Sequence, residues 1–408
     1  MNFVTLGIKG LAIAVLSTAA ARQACAQVTT PPDLPTDLQS SQAPPPNVTC
    51  KYDIRQSDLD RQQPLPFNKA GDYCIREDLT FRGVGLTAIS IRADEVRVWF
   101  LGHTLKNTLP VPNNARGIEI QEGCDQVSIS GGRIKDFDLG IYASGTRDKP
   151  VVGLGVRQMR LVASTDSAVF ARWVVNSAFE ANALDGNIFG ISIHGASQGT
   201  VIRSNTIRIG ALGGWGIALT GTQVVRVIGN TVSIDENVAA FNTGIWVFHG
   251  SYHSKRADWG RDNIIQNNVL LGLKQAIVLD GSGQGTNNAV RSNSISGSDP
   301  SYRPRYPGPW KTSAIGIFAE NEQQSRIEQN KIVSGAIRTY KHGILLTLDQ
   351  SQGTRIMSVA RQANGLPALS GNETCGTQYP LTIPSGANVN DFDDGSNRWE
   401  TCFAGVPQ

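Results

Sequence analysis

Between about residues 85 and 350 the chain repeats one short phrase: Gly-Ile-x-apolar, a gap, a short apolar strand, then Asn-x-Ile or Asn-x-Val. Clear copies open at Gly117-Ile118, Gly140-Ile141, Gly190-Ile191, Gly216-Ile217, Gly244-Ile245, Gly316-Ile317 and Gly343-Ile344, with degenerate copies at Ile89, Val169 and Ile277. Successive openings lie 29, 23, 28, 22, 26, 28, 32, 40 and 27 residues apart. That spacing is too irregular for a propeller, and the Gly and Asn content is too high for helical repeats. Each unit carries three runs of period-two alternation, such as 216–219, 224–228 and 231–234, divided by turn residues. Three strands per coil predict an all-β triangular solenoid of about ten coils. Asn182, Asn205, Asn230, Asn268, Asn293 and Asn330 share one offset, so they are expected to stack from coil to coil. Asn tolerates left-handed backbone and can hydrogen-bond its own backbone and the next Asn.

Alternation also predicts what faces outward, because Ile points inward and its neighbour must point out. The outward pairs are Glu119 and Gln121, Tyr142 and Ser144, Phe170 and Arg172, Ser192 and His194, Ala218 and Thr220. They continue with Trp246 and Phe248, Val278 and Asp280, Phe318 and Glu320, and Leu345 and Thr347. With coils about 4.8 Å apart, Arg172 should neighbour His194 and Asp280 should neighbour Glu320. Two carboxylates so placed could share a proton, bind Ca2+ or act as an acid and nucleophile pair; equally, they could be charges on a solvated face. No other cofactor is implied.

Composition narrows the setting. Lys9, the apolar run 11–16 and the small-x-small sequence Ala24-Cys25-Ala26 read as a signal peptide over residues 1–26. Its apolar core is too short for a membrane span, and Arg22 stands where a lipoprotein signal needs an apolar residue. The expectation is a secreted or periplasmic protein. Residues 27–49 are a Pro-rich linker. Without the signal, 35 basic side chains face 34 acidic ones. That balance excludes general nucleic-acid binding and membrane-surface binding, and any anion recognition must come from local clustering. Sequence proximity pairs Cys50 with Cys74 and Cys375 with Cys402, leaving Cys124 as a buried small hydrophobe. Three Met and no His cluster argue against metal delivery.

These phrases, with an opening segment that includes Gly71-Asp72-Tyr73-Cys74-Ile75 and Gly102-His103-Thr104, resemble the right-handed parallel β-helix proteins of the pectin-lyase-like superfamily, especially their carbohydrate-binding and sugar-hydrolase repeat group. The resemblance covers roughly residues 50 to 350, and residues 351–408 read as a C-terminal extension stapled by a disulfide. It implies that Gly-Ile marks the first strand of each coil and Asn the turn after the second. It implies further that the insertions at 250–262 and 297–313 wall one face.

Those insertions carry Tyr252, His253, Lys255, Arg256, Trp259 and Arg261 in one, and Tyr302, Arg303, Arg305, Tyr306, Trp310 and Lys311 in the other. Aromatic faces suit sugar rings and cations suit carboxylates, so the expected partner is an acidic polysaccharide engaged by a monomer. The plainer alternative is that the loops simply pack on the wall. The expected activity is first a polysaccharide lyase on an acidic extracellular or cell-wall polysaccharide, then a glycoside hydrolase, with a non-catalytic polysaccharide-binding or scaffold protein in exopolysaccharide export as the other reading. A lyase would neutralise a uronate with Arg256, Arg261, Arg303 or Arg305 and abstract its proton with Lys255, His249 or Tyr252. A glycosidase would use Asp280 and Glu320. Trp246, Tyr252, Trp259, Tyr306, Trp310, His194 and Arg172 complete the expected binding surface. Arg133-Ile134-Lys135 echoes a polygalacturonase phrase but lacks its companions, so it is taken as chance.

Overall fold

A Gly-Ile phrase repeats because the coils come close enough to leave little room before the isoleucine, where the other copies of the phrase carry only alanine: Ala88, Ala168 and Ala276. A Cβ at Gly117 would lie 2.5 Å from the carbonyl oxygen of Gly140, one at Gly140 would lie 2.6 Å from that of Ala168, and one at Gly244 would lie 2.5 Å from that of Ala276. This is the close backbone approach that selects glycine within a strand.

The structure, a computed structural model, describes residues 49–400 except 84–85, 111, 113, 163, 211–213, 235–241, 249–259, 281–286, 298–314, 321–324, 334–341, 348–367, 371, 376–378 and 383–396. The expected signal peptide, nearly all of the linker and Cys402 lie outside these residues.

Three parallel sheets of twelve strands each form a triangular solenoid. One coil runs from Trp215–Thr220 in the first sheet through Arg226–Ile228 in the second to Thr231–Ile234 in the third. The repeat phrase counts about ten coils. Rungs that it does not mark come from Tyr52–Ile54, Leu65–Phe67 and Leu79–Phe81 at one end, and from Ala368–Ser370, Glu373–Cys375, Tyr379–Thr382 and Arg398–Glu400 at the other. The interior is a continuous stack of isoleucine, valine and leucine, with Phe67, Phe81, Phe100, Phe137 and Phe179 filling the early coils. At the start, the helix Gln56–Arg61 buries Leu59, and a disulfide joins Cys50 to Cys74. Cys124 is a free, buried thiol.

The asparagines stack as expected. Asn182 donates to Asn205, Asn205 to Asn230, Asn230 to Asn268, Asn268 to Asn293 and Asn293 to Asn330, all at 2.9 to 3.0 Å between Nδ2 and Oδ1. Each also accepts a backbone N–H from the preceding coil, as Asn230 does from Asn205 at 3.0 Å. Asn372 and Asn397 carry the ladder on past residue 350. The left-handed backbone belongs instead to the residue before each asparagine: Ala181, Ser204, Gly229, Asn267, Ser292 and Gln329 have φ between 52° and 63°. The sharp bend is thus made one position earlier, which frees the Asn side chain to satisfy buried groups of two coils. A second, shorter stack, which the sequence pattern did not reveal, runs from Asn263 to Asn288 to Ser325 at the turn before the second sheet.

Candidate functional site on the first sheet

The first sheet gathers the chemistry because its outward columns are kept in strict register. One column runs Ser144, Arg172, His194, Thr220, Phe248, Asp280 and Glu320. The neighbouring column runs Glu119, Tyr142, Phe170, Ser192, Ala218, Trp246, Val278 and Phe318. Arg172 therefore stands beside His194, and Asp280 beside Glu320, in adjacent coils.

Rings on this face form two series, the first following the solenoid axis from coil to coil and the second crossing the sheet obliquely. Arg116 lies over Tyr142 at 4.2 Å, Tyr142 stacks on Phe170 at 5.6 Å, and Phe170 stacks on His194 at 4.6 Å. A second series passes from Phe189 to Trp215 at 4.1 Å, Trp215 to Trp246 at 5.0 Å, and Trp246 to Phe248 at 5.4 Å. Phe189 and Trp215 were not among the expected site residues. Each sits immediately before the Gly of its phrase, two positions from the inward Ile, where strict alternation would turn it inward; each is instead half-exposed and stacked among the outward rings. The rings rest on small neighbours: Trp215 donates its indole N–H to Ser192 at 3.5 Å, and both Ser192 and Ala218 are buried although they face outward. Val278, Ile315 and Phe318 form a buried apolar cluster on the same side, with Trp246 packed against it. The wall is thus a lined platform and not a bare strip of sheet.

Electrostatics set the character of the first series. Burial, and secondarily the Arg172 guanidinium, pushes the His194 imidazole down to about 4. His194 is therefore a neutral aromatic ring at neutral pH, and the exposed Arg172 carries the positive charge. Near this edge Asp138 and Asp166 precede neighbouring first-sheet strands, and burial together with the Asp138 charge raises the Asp166 carboxyl.

Of the other expected residues, Arg261 stands at the turn leading into the second sheet, 3.8 Å from the Asp262 carboxylate. His249, Tyr252, Lys255, Arg256, Trp259, Arg303, Arg305, Tyr306 and Trp310 lie outside the described residues. In the chain, 249–259 follows the first-sheet strand Thr243–Phe248, and 298–314 precedes the first-sheet strand Ile315–Glu320. Among the described residues no group of three or more His, Cys, Asp or Glu side chains could hold a metal ion, and no helix is long and apolar enough to cross a membrane.

The model of the right-handed β-helix region matches residues 68–258, just under half of the chain. No curated protein matches the sequence. Among solved structures, the tailspike of E. coli bacteriophage HK620, as a mutant in complex with a pentasaccharide, is 13% identical with a TM-score of 0.56, over 88% of this chain and 66% of the tailspike. The Dettilon tailspike is 17% identical with a TM-score of 0.53, over 82% and 61%. This chain thus spans less than two thirds of either tailspike. The A-module of a mannuronan C-5 epimerase from Azotobacter vinelandii is 15% identical with a TM-score of 0.49, over 79% and 88%. At these identities the likeness is one of fold. In fold, this chain is a right-handed parallel β-helix.

Proposed function

We propose that the protein is exported and acts on a polysaccharide held lengthwise against the aromatic outer face of its first sheet. The observation that carries this reading is the ring platform from Phe189 through Trp215 and Trp246 to Phe248, which crosses three successive coils obliquely and is only partly buried. Sugar rings present apolar C–H faces, and flat aromatic rings on three successive coils offer them partners. An extended glycan matches such a surface better than a compact ligand does.

Asp280 and Glu320, in register at one end of the platform, favour hydrolysis as the reaction. Backbones about 4.8 Å apart suit the roughly 5 to 5.5 Å carboxyl separation of retaining glycosidases. One carboxyl would protonate the leaving glycosidic oxygen while the other, ionised, attacks the anomeric carbon. Water would then release the sugar, with the first group acting as base. A lyase would need the cations and bases of residues 249–259 and 298–314.

The test is to incubate the purified chain with a panel of neutral and uronate polysaccharides and follow both new reducing ends and the absorbance of unsaturated products. Reducing ends that disappear with Asp280→Asn or Glu320→Gln support hydrolysis. Unsaturated product that survives both changes would assign a lyase, and glycan retention without any product would leave a binding protein.

A further inference from the structure

The outer face of the third sheet carries charge in a way that the rest of the solenoid avoids. Elsewhere, charged ladder partners in adjacent coils pair opposite signs: Asp72 with Arg97 at 2.9 Å, Glu180 between Arg157 at 3.1 Å and Arg203 at 2.7 Å, and Asp185 with Arg208 at 2.7 Å. The like-charged partners among the described residues are Asp280 with Glu320 on the first sheet and two cationic pairs on the third. Arg133 is the register partner of Arg160, and Lys135 is that of Lys106. Like charges directly opposite across strands are destabilising, so two such pairs side by side call for a reason beyond folding.

Ile134, Leu105 and Leu161 are buried inside the coil, which sends Arg133, Lys135, Lys106 and Arg160 outward. Arg208 extends the field by two coils. Two carboxylates answer these five cations on the face: Asp136, 3.8 Å from Lys135, and Asp185, 3.7 Å from Arg160. At its near edge Asp78 is engaged with His103 at 3.5 Å. Lys106 and Arg133 meet no carboxylate among the described residues. In a chain whose mature charge is close to zero, this is the local clustering that anion recognition requires.

We infer that this face is a second glycan-binding surface, separate from the aromatic wall and selective for polysaccharides bearing carboxylates. The flat sheet spaces its cations by about one coil along the axis, so a polyanion lying lengthwise meets several at once. The glycan nature of the partner rests on the proposed function, whereas its negative charge follows from this surface alone. Arg133-Ile134-Lys135 therefore has a role here, on a different sheet from the aromatic platform.

The experiment measures retention of the full chain on immobilised polygalacturonate, with dextran as the neutral control and duplex DNA as a non-glycan polyanion, from about 0.05 to 0.5 M NaCl. The expected result is retention on polygalacturonate that weakens about tenfold or more as salt rises, with weaker retention on DNA and no salt-sensitive retention on dextran. Arg133→Glu with Lys135→Glu should abolish the salt-sensitive component, and the milder Arg133→Gln should reduce it, with melting curves confirming that both variants fold. Trp215→Ala should leave that component intact. A loss of salt-resistant retention in Trp215→Ala, or its absence, bears on the first-sheet reading alone. Salt-independent retention, a charge-reversed variant that binds like the parent, or equal binding to DNA would overturn the inference.

Discussion

His194 offers a direct test of the aromatic platform, because its ring belongs to the stack only as a neutral imidazole. It stacks on Phe170 at 4.6 Å, with Arg172 on one adjacent coil and Thr220 on the other. With its folded value near 4 against 6.5 when unfolded, the unfolded chain binds more protons between those limits. Stability contributed here is complete above pH 6.5, falls as the pH drops, and levels off below about 4. The full loss is about 3 kcal/mol, and about 2.5 kcal/mol of it has gone by pH 4.5. His194→Phe keeps an aromatic ring and removes the proton site. Carboxylates titrate over the same range in both proteins, so the informative quantity is the difference between parent and variant. In denaturant unfolding at pH 7.5 and pH 4.5, the variant should gain about 2 to 3 kcal/mol relative to the parent on acidification. A difference that stays constant between those pH values, or a His194 ring that titrates near 6.5 by NMR, would refute the neutral stack.

Asn230→Ala strips partners from Asn205, Ile202 and Asn268 in the buried ladder and should cost about 3 to 5 kcal/mol in urea unfolding, well beyond Asn397→Ala at the ladder's end. Trp215→Ala should weaken retention of a polysaccharide measured at high salt by about tenfold, roughly 1.4 kcal/mol. Arg133→Gln relieves repulsion from Arg160 and should raise stability by about 0.2 to 1 kcal/mol in the same unfolding assay, even as it weakens polygalacturonate binding. Cys124, buried with its thiol pushed up by desolvation, should react with a thiol reagent only as the chain unfolds.

The coil is written into the sequence because its two tightest constraints each leave a narrow choice of residue behind, with alanine replacing glycine only at Ala88, Ala168 and Ala276. Glycine stands where the next coil's carbonyl would strike a Cβ, and asparagine stands where two coils need donors and acceptors at once. Both recur at one offset, so one sequence reveals them. The ring platform was half legible. Tyr142, Phe170, Trp246 and Phe248 follow from counting outward from Ile, but Phe189 and Trp215 lie on the other side of the glycine, where the phrase ceases to guide the eye.

The cationic face was not legible at all. Lys106 and Lys135 are 29 residues apart and Arg133 and Arg160 are 27, with no run of charge and no excess in the total. They meet only because coils of 29 and 27 residues nonetheless keep their third strands in register, absorbing the difference in the turns. A solenoid thereby turns sequence separation into vertical adjacency. Its stability depends on what faces inward, which repeats, while its recognition depends on what faces outward, which need not. Function in such a chain is therefore sought where an outward column breaks the rule that the fold itself would prefer. Here that means rings stacked in the open on the first sheet, and like charges stacked on the first and the third.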